Sequence, residues 1–298
     1  MKTTIAIHIN SSETAKQARL LMQSFPASLA GRMEWLVTVD SSFSEVTELP
    51  ALADVCSGEI LRLDIPAPFN QYPLGWKVYA AARAEEFCLA GYSMLVWMDT
   101  DTIVLSANLN LSLPSGKAIS CCPVHLCNIA SRWGEEMDPF WKEIYAQCKV
   151  TADNLFPVKT IVDEVLIRPY FNVGLLVLDP QKRLFRTWQD HFIVLSQNPV
   201  VSQLLHDDKL HRIFFHQAVL AGTILGELNR GEIHQLDHTY NFPVFLSDRF
   251  DKSFVMPDVK SLKTIRYDEL SELARKEWQN RFPNSLEWDG LKKEWELD

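Results

Sequence analysis

A chain of 298 residues, 47% hydrophobic and 22% charged, has ordinary globular composition and can bury a large core, as one big α/β domain or two small ones. A formal net charge of −9 argues against a nucleic-acid partner, because no basic excess exists to displace counterions, although a small diphosphate is still acceptable. No apolar run approaches the roughly 18 residues of a membrane span, Met1 to Thr4 show no secretory leader, and the six cysteines lack the density of a disulfide scaffold, so a cytoplasmic location is expected.

The first strand is expected at Thr3 to Ile9, with a polar tip at His8, Asn10, Ser11 and Ser12. Ala15, Ala18, Leu21, Met22 and Phe25 then recur at helical spacing, with Ser11 or Ser12 as the cap. Trp35 to Val39 is a second strand closed by Asp40, which completes a βαβ unit. The polar ends of both strands should line one edge of the sheet. After a Pro-rich loop at Pro66 to Pro73, a helix is expected from about Leu74 to Ala90, stopped by Gly91. Lys77 falls in its first turn, where the helix dipole favours a phosphate, while Arg83 lies well around the helix. A plain surface lysine is the competing reading of Lys77.

The run Met94-Leu-Val-Trp-Met-Asp99-Thr-Asp101-Thr-Ile-Val-Leu105 carries the most chemistry. Its apolar half reads as a strand buried on both faces, and ligands of such sheets bind beyond the carboxyl ends of the strands. Asp99 and Asp101 at that point are a natural seat for Mg²⁺ or Mn²⁺, which take oxygen ligands and share them with phosphates. Cys121-Cys122-Pro-Val-His125-Leu-Cys127 lacks the second distant pair of a zinc site and reads as buried strand cysteines. Strands are expected at Ala118 to Cys122 and Leu175 to Leu178, and helices around Pro139 to Cys148, Arg183 to Ser196 and Leu210 to Leu225. The chain divides into a domain over residues 1–250 and a charged, tryptophan-bearing helical extension over residues 251–298, packed on the core.

Four segments in order resemble the nucleotide-sugar transferases of the GT-A fold, especially the glycogenin and bacterial galactosyltransferase-like group. They are Leu95 to Thr102 with its Asp-x-Asp, Pro169-Tyr-Phe-Asn172-Val-Gly174 to Asp179, Phe215-His216-Gln217 before an apolar stretch, and Leu236 to Pro243 with Tyr240-Asn241. The resemblance covers about residues 3 to 245. It implies a GT-A-like, mostly parallel mixed sheet flanked by helices. It also implies a metal-dependent hexosyltransferase that moves a hexose from a nucleoside-diphosphate sugar, a UDP-sugar for preference, to a hydroxyl acceptor on a glycan or small molecule.

By that resemblance Asp101 binds the metal directly, and Asp99 contacts the metal or the ribose. His8, Asn10, Asp40, Lys77, Gly174, Tyr240 and Asn241 serve the donor. Asn172, His216 and Gln217 form the reacting face. Two departures stand out. His216 replaces the group's usual Asp, which leaves retention as the leading outcome but keeps Asp163 or Glu164 open as the base of an inverting reaction. The usual third metal ligand, from a late His-x-x-Gly-x-x-Lys-Pro segment, has no counterpart. Ile265-Arg266-Tyr267-Asp268 stands near its place, and His234 or His238 could substitute. A sugar-phosphate nucleotidyltransferase and a degenerate nucleotide-sugar-binding module are the alternatives. The first is disfavoured because residues 8 to 14 contain no glycine.

Overall fold

The computed structural model describes residues 2–30, 32–43, 58–251 and 253–267. Strand β1 (Thr3–Ile9) is buried along its whole length. Helix α1 (Ser12–Ser24) starts at Ser11, whose hydroxyl accepts from the Thr14 N–H in a capping box. Strand β2 (Met33–Asp40) runs parallel to β1 and extends a residue or two beyond the apolar stretch at each end. Strand β3 (Gly58–Leu63), helix α2 (Gly75–Cys88), strand β4 (Met94–Met98) and strand β5 (Thr102–Val104) follow. Then come β6 (Ile119–Pro123), α3 (Pro139–Gln147) and β7 (Phe171–Leu178). Helices α4 (Leu184–Ser196), α5 (Pro199–Asp207) and α6 (Lys209–Glu227) lead to the short strands β8 (Ile233–Gln235), β9 (Phe242–Pro243) and β10 (Thr264–Arg266).

The main sheet has the order β8-β6-β7-β4-β1-β2-β3, and β7 alone runs antiparallel to its neighbours. This is the expected α/β architecture, a mostly parallel sheet with helices on both faces. Alternation along β4 divides the core. Leu95 and Trp97 join the cluster made by α2, α3, α4 and α6, whereas Val96 and Met98 join the one made with α1. Burial on both faces is why the run reads as continuous apolar sequence rather than alternating.

The segment after residue 250 is described only as far as residue 267. Its described part forms a 3₁₀ turn at Val259–Ser261 and strand β10, which pairs antiparallel with β5 and parallel with β9. Thr264 and Ile265 suit a strand, and Ile265 packs with Ile103 and Phe242 in a third apolar cluster. Residues 268–298, including Trp278, Trp288 and Trp295, lie outside the described residues. Among the described residues no helix is long and apolar enough to cross a membrane.

One buried carboxylate ties the helical layer together. Glu85 of α2 accepts from the Phe185 and Arg186 N–H groups at 3.0 and 2.8 Å and so caps α4 from a distance, where the helix has no cap of its own. Burial pushes its carboxyl from 4.5 up to about 7, against the pull of those N–H groups and Arg183. The folded state therefore holds a proton that the unfolded state releases between pH 4.5 and about 7. Stability should fall as pH rises through that window, by roughly 3 kcal/mol for a shift of this size. Glu85→Gln removes the titration and keeps one accepting oxygen. Denaturant unfolding at pH 5 and pH 8 should show a flatter pH slope for the variant; an unchanged slope would contradict the assignment.

Candidate active site

At the carboxyl end of β4 the chain leaves the sheet as Asp99-Thr100-Asp101 and re-enters as β5. The Asp99 N–H donates to the Gly174 carbonyl at 2.9 Å, which pins this turn to β7. The Thr100 hydroxyl donates to Gln17 Oε1 of α1 at 2.8 Å. Lys77, in the first turn of α2, places Nζ 2.7 and 2.6 Å from the two Asp99 oxygens and is only 7% exposed, so it is not a surface lysine. Arg266, at the end of β10, reaches Asp101 with Nε at 3.2 and 3.1 Å and Nη2 at 2.6 Å, and brings Nη2 within 3.3 Å of Asp99. Burial alone would raise the Asp99 carboxyl, but the Lys77 and Arg266 charges hold it below its ordinary value.

The amides gather on the adjoining wall. Asn172 Oδ1 accepts from the Gly174 N–H at 2.7 Å and from Asn241 Nδ2 at 3.1 Å. Gln217 Oε1 accepts from the Val173 N–H at 3.3 Å. Asn172 lies inside β7, one of its buried residues, and Gln217 lies in the middle of α6. The actual helix start is at Lys209, capped by Asp208. A cavity of about 580 Å³ brings Asn172, Gly174, Gln217 and His216 together with Lys77, Asp99 and Arg266. His216 is buried and pushed down to about 3, by burial first and then Lys77, so it stands there as a neutral ring and a weak base.

Tyr240 and Asn241, which the resemblance gives to the donor, line a separate cavity of about 470 Å³. Tyr240 packs on the α1 side of the sheet and donates its hydroxyl to the Asn110 carbonyl at 3.0 Å. Asn241 is fully buried with a left-handed backbone (φ 53°) and acts on the site only by gripping Asn172.

A second cavity, about 230 Å³, shares Leu74, Lys77, Asp99 and Arg266 and extends to His8 and Trp76. His8 stacks on Trp76 with ring centroids 4.6 Å apart. The Thr38 hydroxyl donates to the Ile7 carbonyl, so it must accept from His8 Nδ1, which leaves Nε2 as an acceptor without a protein partner. Burial pushes His8 down to about 4, so the ring is neutral. Asn10 bonds Thr14 at the start of α1, and Asp40 accepts from the Ser42 N–H and hydroxyl; neither lines this cavity. Leu74 turns the Pro-rich loop into α2 with φ 59°, a conformation uncommon for leucine and placed at the rim of both cavities.

Residues 5–224 match the family model described as the Rhodobacterales glycosyltransferase domain. The chain belongs to this family. It is therefore an enzyme, a GT-A glycosyltransferase, and the paired aspartates, the amide wall and the cavities between them occupy its sheet edge. No curated protein matches the chain. Among solved structures, the bifunctional glycosyltransferase WbbM is 11% identical with a TM-score of 0.50, over 97% of this chain and 51% of its own. Mouse xyloside xylosyltransferase 1 is 14% identical (TM-score 0.49, 90% and 98% covered). The galactosyltransferase LgtC, in complex with donor and acceptor sugar analogs, is 15% identical (TM-score 0.48, 96% and 99% covered). Likeness at these identities speaks to the fold alone.

GT-A glycosyltransferases commonly use a divalent metal, so the donor set of this member can be tested against one. Both Asp99 oxygens are taken by Lys77 and both Asp101 oxygens by Arg266. Among the described residues no group of three or more His, Cys, Asp or Glu could hold a metal ion. His234 Nδ1 is paired with Ser120, and His238 lines a third cavity that contains neither aspartate. This set does not fit a resident divalent cation. Cys121 and Cys122 are buried thiols raised by burial, as expected of strand cysteines. The two carboxylates considered as bases are committed as well. Asp163 accepts from the Thr160 hydroxyl and the Cys127 N–H, and Glu164 pairs with Lys159. Trp76 and Arg266 line the site without a local motif that marks them in the sequence. The one available signal was that Arg266 stands where a third metal ligand is usual.

Proposed function

We propose that this enzyme transfers a hexosyl group from a nucleoside-diphosphate sugar, a UDP-sugar by preference, to a hydroxyl of a glycan or small-molecule acceptor, with retention. One observation carries the reading: a buried cation, Lys77, a half-buried one, Arg266, and two amides, Asn172 and Gln217, converge on one cavity of about 580 Å³ beside Asp99. The cations suit a diphosphate, and the amides suit the hydroxyls of a sugar attached to it. In the reaction the bond from the anomeric carbon to the β-phosphate oxygen breaks and its electron pair leaves with the nucleoside diphosphate. The acceptor oxygen bonds that carbon and gives up its proton to the departing phosphate oxygen. Stabilising charge on the leaving diphosphate is the largest contribution the protein can make. Retention accords with a sugar wall made of amides and with Asp163 being held by its own loop. The five cysteines among the described residues are buried and free, which suits a reducing compartment such as the cytoplasm.

Gln217 gives the sharpest test. Because UDP lacks the sugar, Gln217→Ala should lower turnover about 100-fold while calorimetric UDP affinity stays within about twofold. An equal loss in both would move Gln217 from the sugar to the nucleotide, and no loss in either would remove the sugar-side half of the reading.

A further inference from the structure

The arrangement that fails as a metal seat has its own chemistry. Strand β10 pairs with β5 immediately beyond Asp101, with Arg266 opposite Thr102, and the Tyr267 N–H donates to the Asp101 carbonyl at 3.1 Å. The arginine is thus delivered by sheet pairing, not by a free tail. Its guanidinium lies 5.9 Å from the centre of the Phe245 ring. Strand β7 makes room for it. A Cβ on Gly174 would stand 2.8 Å from Asn172 Oδ1, 3.0 Å from Arg266 Nη1 and 3.1 Å from its Cδ, so both side chains would have to give way. Lys77 completes the set from the opposite side. Among the described residues, Lys77 and Arg266 already occupy the two aspartates, so an incoming divalent ion would have to displace a guanidinium and sit beside positive charge. A planar guanidinium fork is also the side chain best matched to phosphate oxygens.

We propose that Arg266, together with Lys77, is the protein's own replacement for the divalent cation: the two side chains hold the donor's diphosphate, and Asp99 and Asp101 position them. Both cations border both site cavities, the one with the amides and the one with His8 and Trp76, so a diphosphate spanning the two would pass directly over them. This inference rests on the nucleoside-diphosphate donor proposed above. It assigns the Asp-x-Asp pair here to orienting cations.

The experiment is titration calorimetry of the full chain with UDP, and with GDP, CDP and ADP in parallel, in EDTA and in millimolar Mn²⁺. Equal affinity in the two conditions is expected, within about twofold. Arg266→Met should weaken binding at least about tenfold in both, and Arg266→Lys should restore part of it. A tenfold gain on adding Mn²⁺ to the wild type would overturn the inference and leave the transferase reading intact. So would an Arg266→Met variant that binds UDP normally once Mn²⁺ is present, because the arginine would then be a plug over a metal seat. Should Arg266→Met fail to fold, the wild-type comparison still decides. Failure of every nucleoside diphosphate in both conditions would overturn this inference and the donor reading together.

Discussion

Lys77→Met is expected to lower stability by about 3 kcal/mol and to weaken UDP binding at least about tenfold. Lys77 and Asp99 are each 7% exposed, and their pair is direct at 2.6 Å. Removing the ammonium leaves a buried carboxylate with Arg266 as its remaining cation, which places the cost at the lower end for a broken buried pair. The control is Arg83→Met on the same helix. Arg83 pairs with the exposed Glu86, and it borders neither site cavity. A pair of that kind contributes at most about 1 kcal/mol. Denaturant unfolding and calorimetry of the two variants give both numbers. Wild-type UDP affinity in a folded Lys77→Met protein would reduce Lys77 to a structural partner of Asp99. Greater loss of binding from Arg83→Met would mean that the other face of α2 meets the ligand.

Gly226→Ala should also be severe, although it lies away from the chemistry. Gly222 and Gly226 share the face of α6 that packs on the end of α3. A Cβ on Gly226 would stand 1.9 Å from the Cys148 carbonyl oxygen, a backbone atom that no rotamer change can move. On Gly222 it would meet the side chains of Ile144 and Cys148 at 2.7 and 2.9 Å. Alanine in a helix is favoured over glycine by about 1 kcal/mol. Forcing two backbones apart exceeds that, and a net loss of about 2–3 kcal/mol is expected for Gly226→Ala. Gly222→Ala should cost less, since side chains can give way. Because α6 carries His216 and Gln217 into the cavity, turnover should fall with stability in the Gly226 variant. Thermal unfolding of both variants beside the wild type checks the order; equal midpoints would mean that α6 and α3 do not meet as described.

Much of this arrangement was legible in local pattern. Thr3 to Ile9 is a strand from end to end, and its apolar residues Ile5, Ala6, Ile7 and Ile9 are the local signal, because the strand is buried between layers. Ser11 caps α1, and Lys77 falls in the first turn of α2, because caps and helix phase are local properties. Other features were not legible at that range. Pro199–Asp207 is a helix with few buried residues, so it has little periodicity to read. Tyr240 and Asn241 stand together in the sequence and serve different partners, one packing beside Asn110 and the other gripping Asn172. Local spacing cannot separate those roles.

By itself, the sequence determined the layered α/β class, the sheet edge that carries the chemistry and the placing of Asp99 and Asp101 on it. Those follow from hydrophobic period and from which residues end a buried strand, and both are written within a dozen neighbouring residues. Only the tertiary structure decided what the two aspartates face. Arg266 is 165 positions from Asp101 and reaches it because β10 pairs with β5. Glu85 caps a helix that begins about 100 residues later. Gly174 leaves room both for Asn172 of its own strand and for an arginine from another strand. In each case the partner is fixed by strand pairing or helix packing between distant segments, and the charge balance of the site exists only once those segments have met.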